Sequence, residues 1–313
     1  MQSALSAIRG GKKRTPPPKQ QTPSPAGNSM PRPGIPFKTT YTSQEVPIPS
    51  TFLTTQPPDA SPITVNKIDF SACPLPEYGR CYAVILDNVL SPSESRTLLS
   101  LAEASVPTTP SEGKPSNPWQ PALVNMGFGF EVLQPDYRNS DRIIWDQQVI
   151  VNRLWERIKG ADCPGAEDLR ARLEVVEDDV EILGRSRSGR KTRWEFRRVN
   201  DRLRFLKYVP GGFFRPHCDA PYRESGDKPV KTIFTLHLYL NDSKQAVGEG
   251  AELEGGATSF LSDDEERRLD VDPKAGRVLI FQHLRLLHSG DDVKAGVKYT
   301  MRTDLLYEMV ERE

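Results

Sequence analysis

Between residues 202 and 307 the chain breaks into five short runs, RLRFLKY, KTIFTLHLYL, GATSFL, RVLIF and KYTMRTDLLY, parted by clusters of Gly, Pro, Asp and Asn. β-branched and aromatic residues bounded by such punctuation read as strands. Upstream, CYAVILDNVL (81–90) reads as one more strand ending in a turn. SPSESRTLLSLAEAS follows, where Ser91 or Ser93 can cap a helix that buries Leu98, Leu99 and Leu101. A Pro- and Gly-rich loop (106–128) leads to DRIIWDQQVIVNRLWERI, whose apolar residues recur at helical spacing. Helices first and closely spaced strands afterwards predict an α+β class, with an antiparallel sheet folded into a sandwich or barrel.

Residues 1–62 differ in texture. They are rich in Pro, Ser, Thr and Gln and poor in aliphatics, as in TPPPKQQTPSPAGNSMPRPG, which predicts a disordered tail ahead of a domain spanning 66–313. Lys12, Lys13 and Arg14 within it read as a solvated charge run, with a nuclear-import signal as the sharper alternative. Between 164 and 200 an acidic stretch (EVVEDDVEIL) precedes the basic GRSRSGRKTRWEFRR, and this region is expected to be a solvated insertion.

Lys+Arg and Asp+Glu both number 42, so no overall field points to nucleic acid. No apolar stretch approaches the roughly 20 residues of a membrane span. Four cysteines (Cys73, Cys81, Cys163, Cys218) without a regular framework, and no signal-like N-terminus, lead us to expect reduced thiols and a cytoplasmic or nuclear location.

The chemistry is concentrated in KYVPGGFFRPHCDAP. His217 and Asp219 are two apart, so on an extended strand both side chains share a face. A second imidazole would complete the facial set of two histidines and one carboxylate that suits Fe(II). The chain has four histidines, and His288, which opens the turn HSGDDVKAG after the strand RVLIF, is the candidate. Lys298 stands ten residues further on, where a cation could pair with the distal carboxylate of a dicarboxylic co-substrate. Arg302, four beyond it on the same face, competes for that role.

With HxD, the distal histidine and the lysine in place, the sequence resembles the 2-oxoglutarate/Fe(II)-dependent dioxygenase superfamily, and within it the prolyl 4-hydroxylase-like catalytic domain. LYLND (238–242), EGGATSF (254–260), AGRVLIFQH (275–283) and Tyr208 nine before the first histidine carry the likeness further. It implies a double-stranded β-helix (jelly-roll) with its core at about 200–310 and supporting N-terminal helices. It also implies Fe(II) and 2-oxoglutarate, with O2 consumed, succinate released and an unactivated C–H hydroxylated. Asp219 favours hydroxylation, since halogenating relatives lack this carboxylate. By position Tyr208, Thr235 and Tyr239 would line the co-substrate pocket, and ascorbate would serve as supporting reductant. The expected substrate is a peptidyl residue, proline first; Phe214, where many prolyl hydroxylases carry tyrosine, weakens the case for proline. A small-molecule hydroxylase, a non-catalytic jelly-roll and a nucleic-acid demethylase are the alternatives.

Blander readings apply to the remaining residues. In IFTLHLYLN, Thr235, His237 and Tyr239 alternate with an apolar face, so His237 reads as a hydrogen-bonded pocket residue. His283 reads as structural, and Cys218 as core packing directed away from the iron. Gly211, Gly212, Gly255 and Gly256 read as turn or bulge residues.

Overall fold

In a computed structural model the described residues are 31–107, 117–127, 129–185 and 191–310. The strands are β1 (Thr64–Lys67), β2 (Ala83–Asp87), β3 (Gln120–Pro121), β4 (Arg138–Asn139), β5 (Asp141–Asp146), β6 (Arg193–Val199) and β7 (Arg202–Tyr208). They continue as β8 (Phe213–His217), β9 (Val230–Tyr239), β10 (Thr258–Leu261), β11 (Arg268–Val271), β12 (Val278–Gln282), β13 (His288–Gly290) and β14 (Lys298–Val310). The main helices are α1 (Pro92–Ala104), α2 (Gln148–Lys159) and α3 (Ala166–Glu174).

Two antiparallel sheets form the framework. The larger runs β1-β2-β12-β9-β14-β7-β5-β3, with β6 on the distal half of β14; the smaller runs β11-β10-β13-β8-β4. From β7 onward the chain crosses between them, β7 in the large sheet, β8 in the small, β9 in the large, β10 and β11 in the small, then β12, β13 and β14 in turn. That alternation is the double-stranded β-helix, and the architecture is the α+β jelly-roll that the sequence predicts.

The period-2 pattern of β9 decides which side chains face which layer. Phe234, Leu236 and Leu238 join the main core with Leu98 of α1 and Ile150, Val151 and Leu154 of α2. Tyr239 packs on the opposite side with Phe260 of β10 and Phe281 of β12. Each fully buried aliphatic or aromatic side chain contributes roughly 1.5–3 kcal/mol, so the helices are held against the large sheet chiefly by this apolar layer. Helix α1 begins in a capping box, Ser91 Oγ accepting from the Glu94 amide while the Glu94 carboxylate accepts from the Ser91 amide. Glu94 also pairs with Arg157 of α2 at 2.7 Å, both side chains nearly buried, which ties the two helices together. Among the described residues no helix is long and apolar enough to cross a membrane.

Three expectations are corrected here. The helix expected over DRIIWDQQVIVNRLWERI begins only at Gln148; Asp141–Asp146 is strand β5, paired with β7, because Ile143 and Trp145 alternate into the core. The region 164–200 is not a solvated insertion. Leu169, Leu173, Val176 and Trp194 enter the main core, Phe196 stacks on Trp155, and β6 pairs along β14; residues 186–190 of the basic run lie outside the described residues. The tail expected over 1–62 holds no such description for residues 31–62, which lie on the domain, while residues 1–30 lie outside the described residues. Phe37 and Lys38 pair with the strand Phe130–Val132, and Phe52 and Leu53 are buried. Arg153 of α2 donates to the carbonyls of Pro49 and Phe52 at 3.0 and 2.9 Å, so a proline-rich backbone finds the partners it cannot supply itself.

Phe52→Ala is therefore expected to destabilise the domain by about 3 kcal/mol in urea unfolding. No loss would mean that residues 31–62 contribute nothing to the fold.

Candidate active site

The two imidazoles meet because β8 and β13 are antiparallel neighbours: His217 lies directly opposite His288, with ring centroids 4.3 Å apart. β8 ends at His217, and Asp219 follows in the connection to β9, turned back onto the same site. One ligand atom from each of the three residues lies within 4.8 Å of the others. His217 Nδ1 donates to the Arg215 carbonyl at 2.8 Å, and His288 Nδ1 to the Leu286 carbonyl at 2.9 Å. With Nδ1–H committed, each neutral ring presents a lone pair on Nε2, and each Nε2 lies 3.8 Å from an Asp219 oxygen. Burial pushes the His217 imidazole down to about 3 and lowers His288 as well, so both are neutral donors at ordinary pH.

Asp219 is clamped from behind. Thr235 Oγ1 donates to Oδ2 at 2.5 Å, and Arg302 pairs with Oδ1 at 2.8 Å. Burial alone would raise this carboxyl; the Arg302 guanidinium and the nearby imidazoles hold it well below the usual range. Arg302 in turn reaches Asp304 at 3.2 Å, and Asp304 takes Arg204 at 3.0 Å. Two imidazole nitrogens and one carboxylate oxygen, each fixed by a second partner, match the donor set that suits a divalent iron and leaves coordination positions open.

Lys298 opens β14 opposite Tyr208 of β7. It is 2% exposed, and among the described residues no carboxylate pairs with it; its Nζ lies 5.2 Å from the Tyr208 ring centroid and 5.8 Å from that of Tyr239. Burial lowers its pKa to about 8. Gly256, at φ +74°, leaves room for it, since a Cβ there would come within 3.1 Å of Lys298 Cδ. Two tyrosine rings line this buried ammonium, and the Asp291 carboxylate opposes the burial from beyond ion-pair distance.

The sequence of residues 203–303 matches the family model of the 2OG-Fe(II) oxygenase superfamily. Residues 203–303 are a 2OG-Fe(II) oxygenase superfamily domain. Iron and 2-oxoglutarate are implied by that membership together with the histidine–aspartate–histidine set. Similar solved structures include a prolyl-4-hydroxylase from Pseudomonas putida (15% identity, TM-score 0.42, covering 76% of this chain and 95% of that one). A prolyl hydroxylase from Trichoplax adhaerens, solved with a hypoxia-inducible-factor oxygen degradation domain peptide, has 15% identity and TM-score 0.43, covering 72% and 82%. A viral collagen prolyl hydroxylase from Paramecium Bursaria Chlorella virus-1 has 16% identity and TM-score 0.38, covering 72% and 95%. No curated protein sequence matches the chain.

Within this oxygenase domain the remaining candidates fall as follows. Thr235 sits on the Asp219 carboxylate, and Tyr239, though its ring lies near Lys298, directs its hydroxyl to the Val271 carbonyl at 3.3 Å. Arg302 is engaged by Asp219 and Asp304 and is not a free cation. His283 is buried, with Nε2 3.5 Å from Asp304. His237 departs from expectation: its Nε2 is buried without a hydrogen-bond partner. Cys218 also departs, being exposed where core packing was expected, because the turn after His217 directs it to solvent. Phe214 enters the site from β8, Arg138 from β4 and Tyr137 from the residue just before β4. Phe214 stacks on His217 at 3.8 Å and Tyr137 lies edge-on to Phe214 at 5.5 Å. No motif marks Tyr137 or Arg138; the pairing of β4 with β8 brings them in.

Lys298→Met should stabilise the ligand-free protein by roughly 2–3 kcal/mol at pH 7. A depressed folded-state pKa means that the charged form costs most below about 8. Between about 8 and 10.5 the unfolded chain binds more protons, so wild-type stability rises there and the gap closes. Urea unfolding at pH 7 and pH 10 reads this directly, and a gap independent of pH would refute the buried-cation account.

Proposed function

We propose that the protein hydroxylates an unactivated C–H of a peptidyl residue, proline first, using Fe(II), 2-oxoglutarate and O2. The observation that carries the reaction class is the convergence of His217, Asp219 and His288, in a domain that also buries Lys298 with no carboxylate paired to it among the described residues. His217 and His288 would hold the metal through Nε2 and Asp219 through a carboxylate oxygen. Together, iron and 2-oxoglutarate supply oxidative decarboxylation to succinate and CO2 and the oxidising power for the C–H bond. Lys298 would bind the distal carboxylate of 2-oxoglutarate, with Tyr208 and Tyr239 as the walls of that pocket. Arg302 and Thr235 would orient Asp219 instead of contacting the co-substrate. Ascorbate would act as supporting reductant.

The peptidyl substrate rests on the prolyl 4-hydroxylase-like motif spacing and on the His217 ring, which keeps 12% of its side chain open to solvent beside Phe214. We place the reaction in the cytoplasm or nucleus, where the four unpaired cysteines would stay reduced.

The test is release of succinate and CO2 by the purified full chain with Fe(II), 2-oxoglutarate and ascorbate. Slow turnover without substrate is expected, and His217→Ala should abolish it together with Fe(II) binding; equal turnover in the variant would refute the metal assignment. Lys298→Ala should raise the 2-oxoglutarate requirement roughly tenfold or more, as expected for losing a charge-assisted bond, and more than Arg302→Ala does. The opposite order would make Arg302 the anchor. Proline-containing peptides that gain one oxygen by mass spectrometry would support the peptidyl reading, whereas turnover stimulated only by small molecules would replace it.

A further inference from the structure

The arginines around this site are neutralised, with one exception. Arg142 pairs with Glu131 at 3.0 Å, Arg204 with Asp304 at 3.0 Å, and Arg302 with Asp219 and Asp304. Arg138 has no carboxylate partner among the described residues. Its nearest polar contact is Ser140 Oγ, 3.4 Å from Nε, a long bond for a group with five N–H donors.

Its position is fixed by the fold. Arg138 lies opposite Phe214 in the β4–β8 pairing, and its guanidinium carbon sits 4.5 Å from the centroid of the Phe214 ring. The same ring stacks on His217 at 3.8 Å and 27°. One aromatic ring therefore touches both the guanidinium and the imidazole that would hold the metal. Burial, with Arg142, Arg302 and Arg204 adding to it against the pull of Tyr208, brings Arg138 down to about 10, still fully protonated at neutral pH.

Arg138 is half-buried, and apart from Ser140 its guanidinium has no protein partner among the described residues, so its remaining N–H groups are open to solvent or to a ligand. Lys298 is the other cation of the site without a carboxylate, and the reading above assigns it the distal carboxylate of 2-oxoglutarate. Arg138, on the Phe214 ring that stacks on His217, is a second cation with no carboxylate partner among the described residues, and being half-exposed it can be reached by an anion.

We propose that Arg138 is a specificity-determining residue that binds a carboxylate of the primary substrate. The proposal rests on the reading of this site as an Fe(II)/2-oxoglutarate hydroxylase and names the chemistry its substrate must carry. That carboxylate can be the terminal group of a small acid or the side chain of an acidic residue in a peptide. A planar guanidinium suits either, because it can hold both carboxylate oxygens at once and so set the substrate's orientation. Phe214 supplies the apolar floor between the anchored carboxylate and the metal.

The test uses calorimetric titration of the full chain loaded anaerobically with Fe(II) and 2-oxoglutarate, so that binding is read without turnover. The small-acid arm compares N-acetyl-L-proline, N-acetyl-L-leucine and N-acetyl-L-lysine with their carboxamides. The peptide arm compares acetyl-Ala-Pro-Glu-amide with acetyl-Ala-Pro-Gln-amide. In at least one pair the carboxylate form should bind tenfold or more tightly; Arg138→Gln should erase that difference and Arg138→Lys restore part of it. Which arm shows the preference identifies the source of the carboxylate.

Carboxylate probes that bind no better than their amides, or equally well to Arg138→Gln, would overturn the proposal. So would a loss of 2-oxoglutarate affinity in Arg138→Gln as large as the loss for the probes, which would make Arg138 part of the co-substrate pocket. Failure of the wild type to bind Fe(II) or 2-oxoglutarate would appear in the loading titration and defeat the underlying reading. The same probe pairs titrated into the metal-free chain then still decide whether Arg138 selects carboxylates. The melting temperature of Arg138→Gln, set beside that of Arg138→Lys, separates lost recognition from lost folding.

Discussion

A carboxylate buried beside two neutral imidazoles is stable only if something compensates its charge, and Arg302 does so for Asp219. Much of the site follows from that pair. Arg302 is itself buried and must be balanced, which draws in Asp304, and Asp304 draws in Arg204 of the neighbouring strand β7. The result is a chain of alternating charges across β7 and β14, backed by the apolar layer under β9. Asp219 thus faces the imidazoles with both oxygens already oriented by Arg302 and Thr235, before any metal binds.

The same charge chain explains a division of labour between two cations four residues apart on β14. Arg302 is consumed in holding Asp219, whereas Lys298 at the start of the strand meets aromatic rings and, among the described residues, no carboxylate within ion-pair distance. An anionic co-substrate would find one free cation on that side of the site and an already neutralised one beside the metal position. Phe214 links His217 to Arg138, the other cation of the site with no carboxylate partner among the described residues.

The jelly-roll was legible because strand punctuation and period-2 alternation are local properties: IFTLHLYLN presents Leu236 and Leu238 to the core and Thr235 to the site in the order its spelling predicts. Asp141–Asp146 was not, because Ile143, Ile144 and Trp145 fit a helical stripe as well as a strand until β7 pairs with them. Residues 164–200 misled for a related reason. Their charges outnumber their apolar residues, yet Leu169, Leu173 and Trp194 are spaced to reach one core, which composition does not reveal. Residues 31–62 carry the composition of a free chain, but Arg153 satisfies their carbonyls and Phe52 finds a buried place.

By itself the sequence determined the ligand chemistry: an HxD pair, a distal histidine and a lysine ten residues beyond it limit what this chain can bind, because donor type and local spacing are written in the residues. The tertiary structure decided how those residues are used. Strand pairing sets His217 against His288, spends Arg302 on Asp219, buries Lys298 with no ion-pair partner among the described residues and brings Arg138 to Phe214 from more than seventy residues upstream. Charge compensation and cross-strand contact depend on distances in space, and spacing along the chain does not contain them.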